Sequence, residues 1–255
     1  MTTLYRDYLP EDLKPSLESH QIDKTVLVQA APTVAETDFL LELAARHDFI
    51  AGVVGWLDLE SSDFPRLFEH YSRQHKFIGL RPMLEELPDD DWILRPRVTD
   101  ALRIIAQMDF PFDFLVHPRH LPYVTKVLEE VAGLRAVIDH IAKPEIKAQK
   151  LGPWKSLIRD LAQYKNLYCK LSGMITEADH NSWSPEHLRP YIEHVTECFG
   201  PDRLMYGSDW PVCLLAGSYD RVIAALETVL NPHLDAASIQ AVYGGTAARF
   251  YRLKV

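Results

Sequence analysis

The sequence predicts a parallel β/α barrel, and three observations lead there. Short, β-branched apolar runs alternate with longer amphipathic stretches from one end of the chain to the other. The chain has 255 residues, close to the roughly 250 that such a barrel uses. Neither G-x-G-x-x-G nor G-x-x-x-x-G-K occurs, although a doubly wound sheet usually carries a phosphate loop after an early strand. No linker or low-complexity segment interrupts the alternation, so residues 1–255 are expected to form a single domain.

Seven runs read as strands: residues 25–29, 50–56, 77–81, 112–117, 136–140, 167–172 and 204–209. Most are continuous apolar stretches, as in parallel strands covered on both faces. Between them, Leu40, Leu43, Ala44 and His47 fall at helical spacing, as do Val124, Val127, Leu128 and Val131. Thr33 and Glu36 fit a capping box at a helix start, with the hydroxyl on an orphan amide and the carboxylate reaching back. Ser184-Pro185 places a capping hydroxyl before a first-turn proline. Gly200-Pro201 and Asn231-Pro232 mark helix ends, and Gly244-Gly245 precedes the last helix. The acidic run 85–91 reads as a solvated loop.

Composition removes several partners. With 27 basic and 36 acidic residues, the formal charge is −9, which argues against nucleic acid or an anionic membrane surface but leaves room for a small-molecule substrate, even an anionic one held by one or two buried cations. No apolar run approaches the roughly 20 residues of a membrane span. The first residues lack the basic-then-apolar pattern of a secretory signal. Cys169, Cys198 and Cys213 are odd in number and widely spaced, as expected of reduced thiols in a cytoplasm.

Chemistry in a parallel barrel sits at the C-terminal ends of its strands. Those positions hold Gln29, Trp56, Arg81, His117, His140 and Asp209, with Lys143 and Trp210 just beyond. Polar groups buried there need partners or a task. Asp209, at the end of an apolar run, and His140, beside Asp139 at the end of another, read as functional rather than filling residues. Lys170, in mid-strand, reads as a structural ion pair. No H-x-H, H-E-x-x-H or G-x-S-x-G motif is present, and the other histidines fall mostly on helices.

The stretch Gly207-Ser208-Asp209-Trp210-Pro211 resembles the last barrel strand of the amidohydrolase superfamily, and within it the sugar-lactone hydrolases. Supporting segments run in order along the chain. They are Tyr8-Leu9-Pro10-Glu11-Asp12-Leu13, Val26-Leu27-Val28-Gln29-Ala30, Gly79-Leu80-Arg81-Pro82 and Asp139-His140-Ile141-Ala142-Lys143-Pro144, then Lys170-Leu171-Ser172-Gly173 and the closing 244–251. The resemblance implies a TIM-type (β/α)₈ barrel in which Asp209 activates water. It also implies that His117, His140 and Asp209 bind a divalent cation, zinc first, or polarise the carbonyl. The family's first strand ends in H-x-H; this chain has none, and its Tyr8-Leu9-Pro10 matches the segment after that strand. The expectation is therefore a barrel with its first strand missing, seven strands in all, and weak or absent metal.

On this reading the chain opens a sugar-type lactone to its hydroxy acid. Gln29, Arg81, Lys143 and Trp210, with Trp56 and Trp183, would form a mouth suited to a hydroxyl-rich ring. Two alternatives stay open. One is decarboxylation of an unsaturated or aromatic acid; the other is a truncated copy that binds a ligand or assembles with itself without turnover. A homo-oligomer is compatible with each.

Overall fold

The computed structural model describes residues 2–254. Seven strands form one parallel sheet in sequential order: β1 (Thr25–Val28), β2 (Ile50–Gly55), β3 (Phe77–Leu80), β4 (Phe112–Phe114), β5 (Ala136–Ile138), β6 (Leu167–Leu171) and β7 (Leu204–Tyr206). The helices are α1 (Pro10–Ser19), α2 (Val34–Arg46), α3 (Phe64–Ser72), α4 (Pro96–Gln107), α5 (Leu121–Glu130) and α6 (Trp154–Leu161). They continue with α7 (Met174–Glu177), α8 (Pro185–Phe199), α9 (Tyr219–Leu230), α10 (Ala236–Gln240) and α11 (Thr246–Tyr251). The strand count agrees with the sequence reading. Among the described residues β1 pairs only with β2, and β7 only with β6. The helical layer nevertheless joins its two ends: Leu13 and Leu17 of α1 pack against Tyr219 and Ile223 of α9, and His20 Nε2 lies 2.7 Å from Asp220 Oδ1.

Each strand stops one to three residues before the end expected from the apolar runs. The difference has a physical cause in the backbone. Past β5 the chain turns left-handed at His140, and past β7 at Asp209; past β4, His117 leads into a tight turn beginning at Pro118. The residues expected at strand ends therefore stand on short loops above the sheet. Helix starts follow the expected chemistry with changed partners. Thr33 Oγ1 accepts from the Glu36 amide at 3.1 Å, but the Glu36 carboxylate accepts from the Ala30 amide rather than from Thr33. At α8, the Ser184 amide donates to His187 Nδ1 at 3.0 Å, so the ring and not the hydroxyl completes the cap.

The two faces of the sheet differ more than continuous apolar runs suggested. Side chains alternate across the pleat. Val53, Phe112, Phe114, Ala136, Ile138, Leu167, Cys169 and Leu171 join the large core beneath the helices. Val54, Ile78, Val137 and Met205 point the other way and meet Phe250 and Tyr251 of α11 inside the barrel. Two of the inward positions are charged. Lys170 Nζ on β6 lies 2.5 Å from Asp113 Oδ2 on β4 and 2.7 Å from Asp139 Oδ1 just past β5. Arg81 Nη1 reaches Asp139 Oδ2 at 2.8 Å, and the Tyr251 hydroxyl donates to Asp113 Oδ2 at 2.7 Å.

Burial alone would drive both carboxylates toward the neutral form. For Asp139, Lys170 and then Arg81 overcome it and hold the group well below the usual carboxylate range. For Asp113, burial wins over Lys170 and its pKa is raised. Burial works against the charge of Lys170 too, but Asp113 and Asp139 keep it protonated. Removing one partner of such a buried set costs about 3–5 kcal/mol. Lys170→Met should show a loss of that size in urea unfolding. The loss should grow from about pH 5 to about pH 8, because a buried carboxylate without its ammonium has a raised pKa and its folded form is penalised once it ionises.

Candidate active site

The site lies above the C-terminal ends of the strands, on three loops. The first is the turn after β5. His140, Ile141, Ala142 and Lys143 are consecutive residues with positive φ (52°, 48°, 62° and 46°). Left-handed conformation is disfavoured by about 1–2 kcal/mol for each such residue, and a run of four marks an enforced geometry. Several contacts enforce it. Asp139 is anchored by Arg81 and Lys170, Ile141 and Ala142 are fully buried, and Trp154 Nε1 donates to the Ile141 carbonyl at 2.7 Å. The turn presents His140 and Lys143 on the mouth side.

The second loop follows β6. Ser172 Oγ lies 2.7 Å from His140 Nδ1, and Gly173 (φ 62°) leaves room for the imidazole; a Cβ there would stand 2.7 Å from both Cγ and Nδ1 of His140. The third loop follows β7. It holds Asp209, itself left-handed (φ 55°), with Oδ1 at 3.7 Å from His140 Nε2. That separation is too long for a direct hydrogen bond and leaves both atoms facing the mouth. A carboxylate opposite Nε2 favours a hydrogen on that nitrogen, and the Ser172 hydroxyl then donates to Nδ1. Burial lowers the His140 pKa against the pull of Asp209, so the ring is neutral near pH 7.

Lys143 Nζ sits 2.5 Å from Glu85 Oε2 and 3.8 Å from Glu177 Oε1. His117 Nε2 approaches the same Glu85 oxygen at 3.7 Å. Burial lowers the His117 pKa, with Glu85 opposing. Burial also raises that of Glu177, Lys143 opposing and the charges of Glu85 and Asp209 adding to it.

The structure thus brings together His140, Asp209, Lys143 and, through Glu85, His117. Trp210 is half-buried at the rim, edge-on to Tyr8 with ring centroids 5.2 Å apart. Other expected mouth residues lie deeper. Gln29 is fully buried and donates to the Arg81 carbonyl at 2.8 Å, while the Arg81 guanidinium is spent on Asp139 and the Gln29 carbonyl. Trp183 is buried with its indole nitrogen on the Ala216 carbonyl. Glu85 departs from the solvated-loop reading of 85–91: its side chain turns inward to Lys143. Asp113, Ser172 and Glu177 were not singled out from the sequence. The charged centre of Phe112-Asp113-Phe114, at period two, was the signal for the first.

The sequence reading assigns a divalent cation, weak or absent, to His117, His140 and Asp209. His140 and Asp209 are donors of the kind zinc takes, yet among the described residues no group of three or more His, Cys, Asp or Glu side chains converges as metal ligands do. Two donors fall short of the three protein ligands of a catalytic zinc site, so the residues present do not fit a complete one. Among the described residues no helix is long and apolar enough to cross a membrane.

Gly173→Ala should force the imidazole aside and strain the backbone, costing about 1–3 kcal/mol. A melting temperature lower by roughly 3–8 °C, together with displaced His140 ring nitrogen resonances, is the expected result.

The sequence profile described as "Amidohydrolase" matches residues 2–253. An L-fucono-1,5-lactonase of Burkholderia ambifaria is 42% identical over 258 residues, covering 99% of this chain and 88% of the relative. An L-fucono-1,5-lactonase of Burkholderia multivorans is 39% identical over 269 residues, with the same coverage. Among solved structures, an amidohydrolase from B. multivorans with bound zinc is 36% identical, with a TM-score of 0.95 over 99% of this chain and 91% of its own.

Proposed function

Because the chain belongs to the amidohydrolase family, we propose that it is a hydrolase that opens a neutral, sugar-type lactone to the hydroxy acid. One observation carries this reading: at the mouth, Asp209 and His140 face one space across 3.7 Å, beside a Lys143 ammonium already paired with Glu85. Its relatives' names point the same way.

In the proposed mechanism a water molecule between Asp209 and the substrate gives its proton to the Asp209 carboxylate as it attacks the ester carbonyl. The neutral imidazole of His140 directs its Nε2 hydrogen at the carbonyl oxygen and stabilises the oxyanion. Ser172 fixes the ring's tautomer and orientation through Nδ1. As the tetrahedral intermediate collapses, the C–O bond of the ring ester breaks and Asp209 returns its proton to the leaving alkoxide. The product is the open-chain hydroxy acid.

A divalent cation, with zinc the first choice by analogy with the solved relative, suits the donor types of His140 and Asp209, with His117 nearby. No step is assigned to it. Arg81 and Gln29 support this centre from below rather than touching substrate, whereas Lys143 and Trp210 border the substrate. The three free cysteines support a reducing compartment, and we place the enzyme in the cytoplasm.

The charge pattern disfavours decarboxylation. An acid substrate needs a cation to receive its carboxylate, and the nearby cations are taken: Arg81 by Asp139, Lys143 by Glu85, Arg119 by Asp90 and Lys147 by Asp179.

Asp209→Asn should lower kcat for L-fucono-1,5-lactone at least 10²-fold with KM changed only a few-fold, measured by acid release in a weakly buffered indicator assay. A smaller drop would remove Asp209 from the role of general base.

A further inference from the structure

Glu85, Lys143 and Glu177 come from three separate segments: a turn after β3, the left-handed turn after β5, and α7 after β6. They meet beside Asp209 and His140, and none of the three is free to solvent; their side chains are 15%, 19% and 25% exposed. The group holds two carboxylates and one ammonium, so it carries one uncompensated negative charge. Glu85 Oε2 is buried and lies near Lys143 Nζ without the alignment of a hydrogen bond. The Glu177 contact, at 3.8 Å, is an ion pair and no hydrogen bond. Carboxylate oxygens with unused lone pairs therefore stand beside the Lys143 ammonium, three residues along the turn from His140, whose Nε2 has no hydrogen-bond partner among the described residues and which is itself only 8% exposed.

A ligand that satisfies this arrangement must bring hydrogen-bond donors and no negative charge. An anion would meet the negative charges of Glu85, Glu177 and Asp209. Vicinal hydroxyls fit: each donates to a carboxylate, and each has lone pairs for the Lys143 ammonium. We infer that Glu85 and Glu177, braced around Lys143, determine substrate specificity by reading the ring hydroxyls of a polyhydroxylated neutral lactone. The inference rests on the lactonase reading above and adds two specificity-determining residues to it. A site built to hydrogen-bond a substrate hydroxyl discriminates against the analogue that lacks it, because the site's own polar groups are then left unmatched.

The experiment compares kcat/KM for L-fucono-1,5-lactone with that for δ-valerolactone, the unsubstituted six-membered lactone, in the wild type, Glu85→Gln and Glu177→Gln. Glu177→Asp, with thermal melts of every variant, guards against loss of fold. The wild type should prefer the hydroxylated ring. Each Gln variant should reduce that preference roughly 10- to 100-fold, the effect of losing one charged acceptor. A preference unchanged in both variants would overturn the inference, as would equal losses on the two substrates, since a purely structural role predicts the latter. Should the wild type open neither lactone, the lactonase reading fails on its own and calorimetry decides the inference. L-Fucose, a neutral hydroxyl-rich ring without an ester, should bind the wild type and bind Glu177→Gln at least tenfold more weakly; equal or absent binding overturns it.

Discussion

The ammonium of Lys170 is the point on which the barrel interior depends. It stands between two buried carboxylates, one on β4 and one just past β5. Without it Asp113 would lose its ammonium and Asp139 would keep only Arg81, and a buried charge without a partner is far more expensive than an apolar side chain in its place. Arg81 and Tyr251 complete the set from β3 and from α11. Four successive strand units and the closing helix are thereby tied through side chains, in addition to their backbone pairing. The arrangement is a poor source of net stability by itself. Its effect is positional, since it fixes Asp139, and from Asp139 the left-handed turn begins.

That turn converts interior electrostatics into site geometry. A chain leaving β5 would ordinarily continue extended or fold into a right-handed helix. Here Asp139 is pinned below, Ile141 and Ala142 are buried, and the Ile141 carbonyl is held by Trp154. The backbone is left with a conformation that places His140 over Gly173 and Lys143 against Glu85. The two polar residues of the turn serve different ends of the proposed substrate, the first its reacting carbonyl and the second its hydroxyls. Their separation is set by three bonded residues in one rigid conformation, so the distance between the two functions does not depend on a mobile loop.

The sequence reveals much of this and hides a specific part. Parallel β/α order, seven strands and the two residues facing each other at the centre were legible, because apolar runs and polar interruptions at their ends are local signals. Glu85 was not legible: an acidic run looks solvated until a lysine from a segment about sixty residues later arrives beside one of its members. Asp113 was hidden for a related reason. A single charge between two phenylalanines reads as part of an apolar run unless its inward partner, on a non-adjacent strand, is known. Arg81 and Gln29 were legible as polar residues at strand ends, but whether such groups face substrate or one another is decided by burial, which no pattern along the chain encodes.

The Tyr251 hydroxyl on Asp113 has a consequence for how the protein is made. The acceptor is ready once residue 113 has left the ribosome, whereas its donor is synthesised nearly 140 residues later. Throughout that interval the central carboxylate lacks one of its partners, and the floor of the barrel lacks Phe250 and Tyr251. Vectorial synthesis can lay down strands and outer helices in order, but the interior is completed only when the final helix docks. Folding of this chain is therefore completed from its C-terminal end, and ribosome-bound intermediates keep an unfinished polar centre until then.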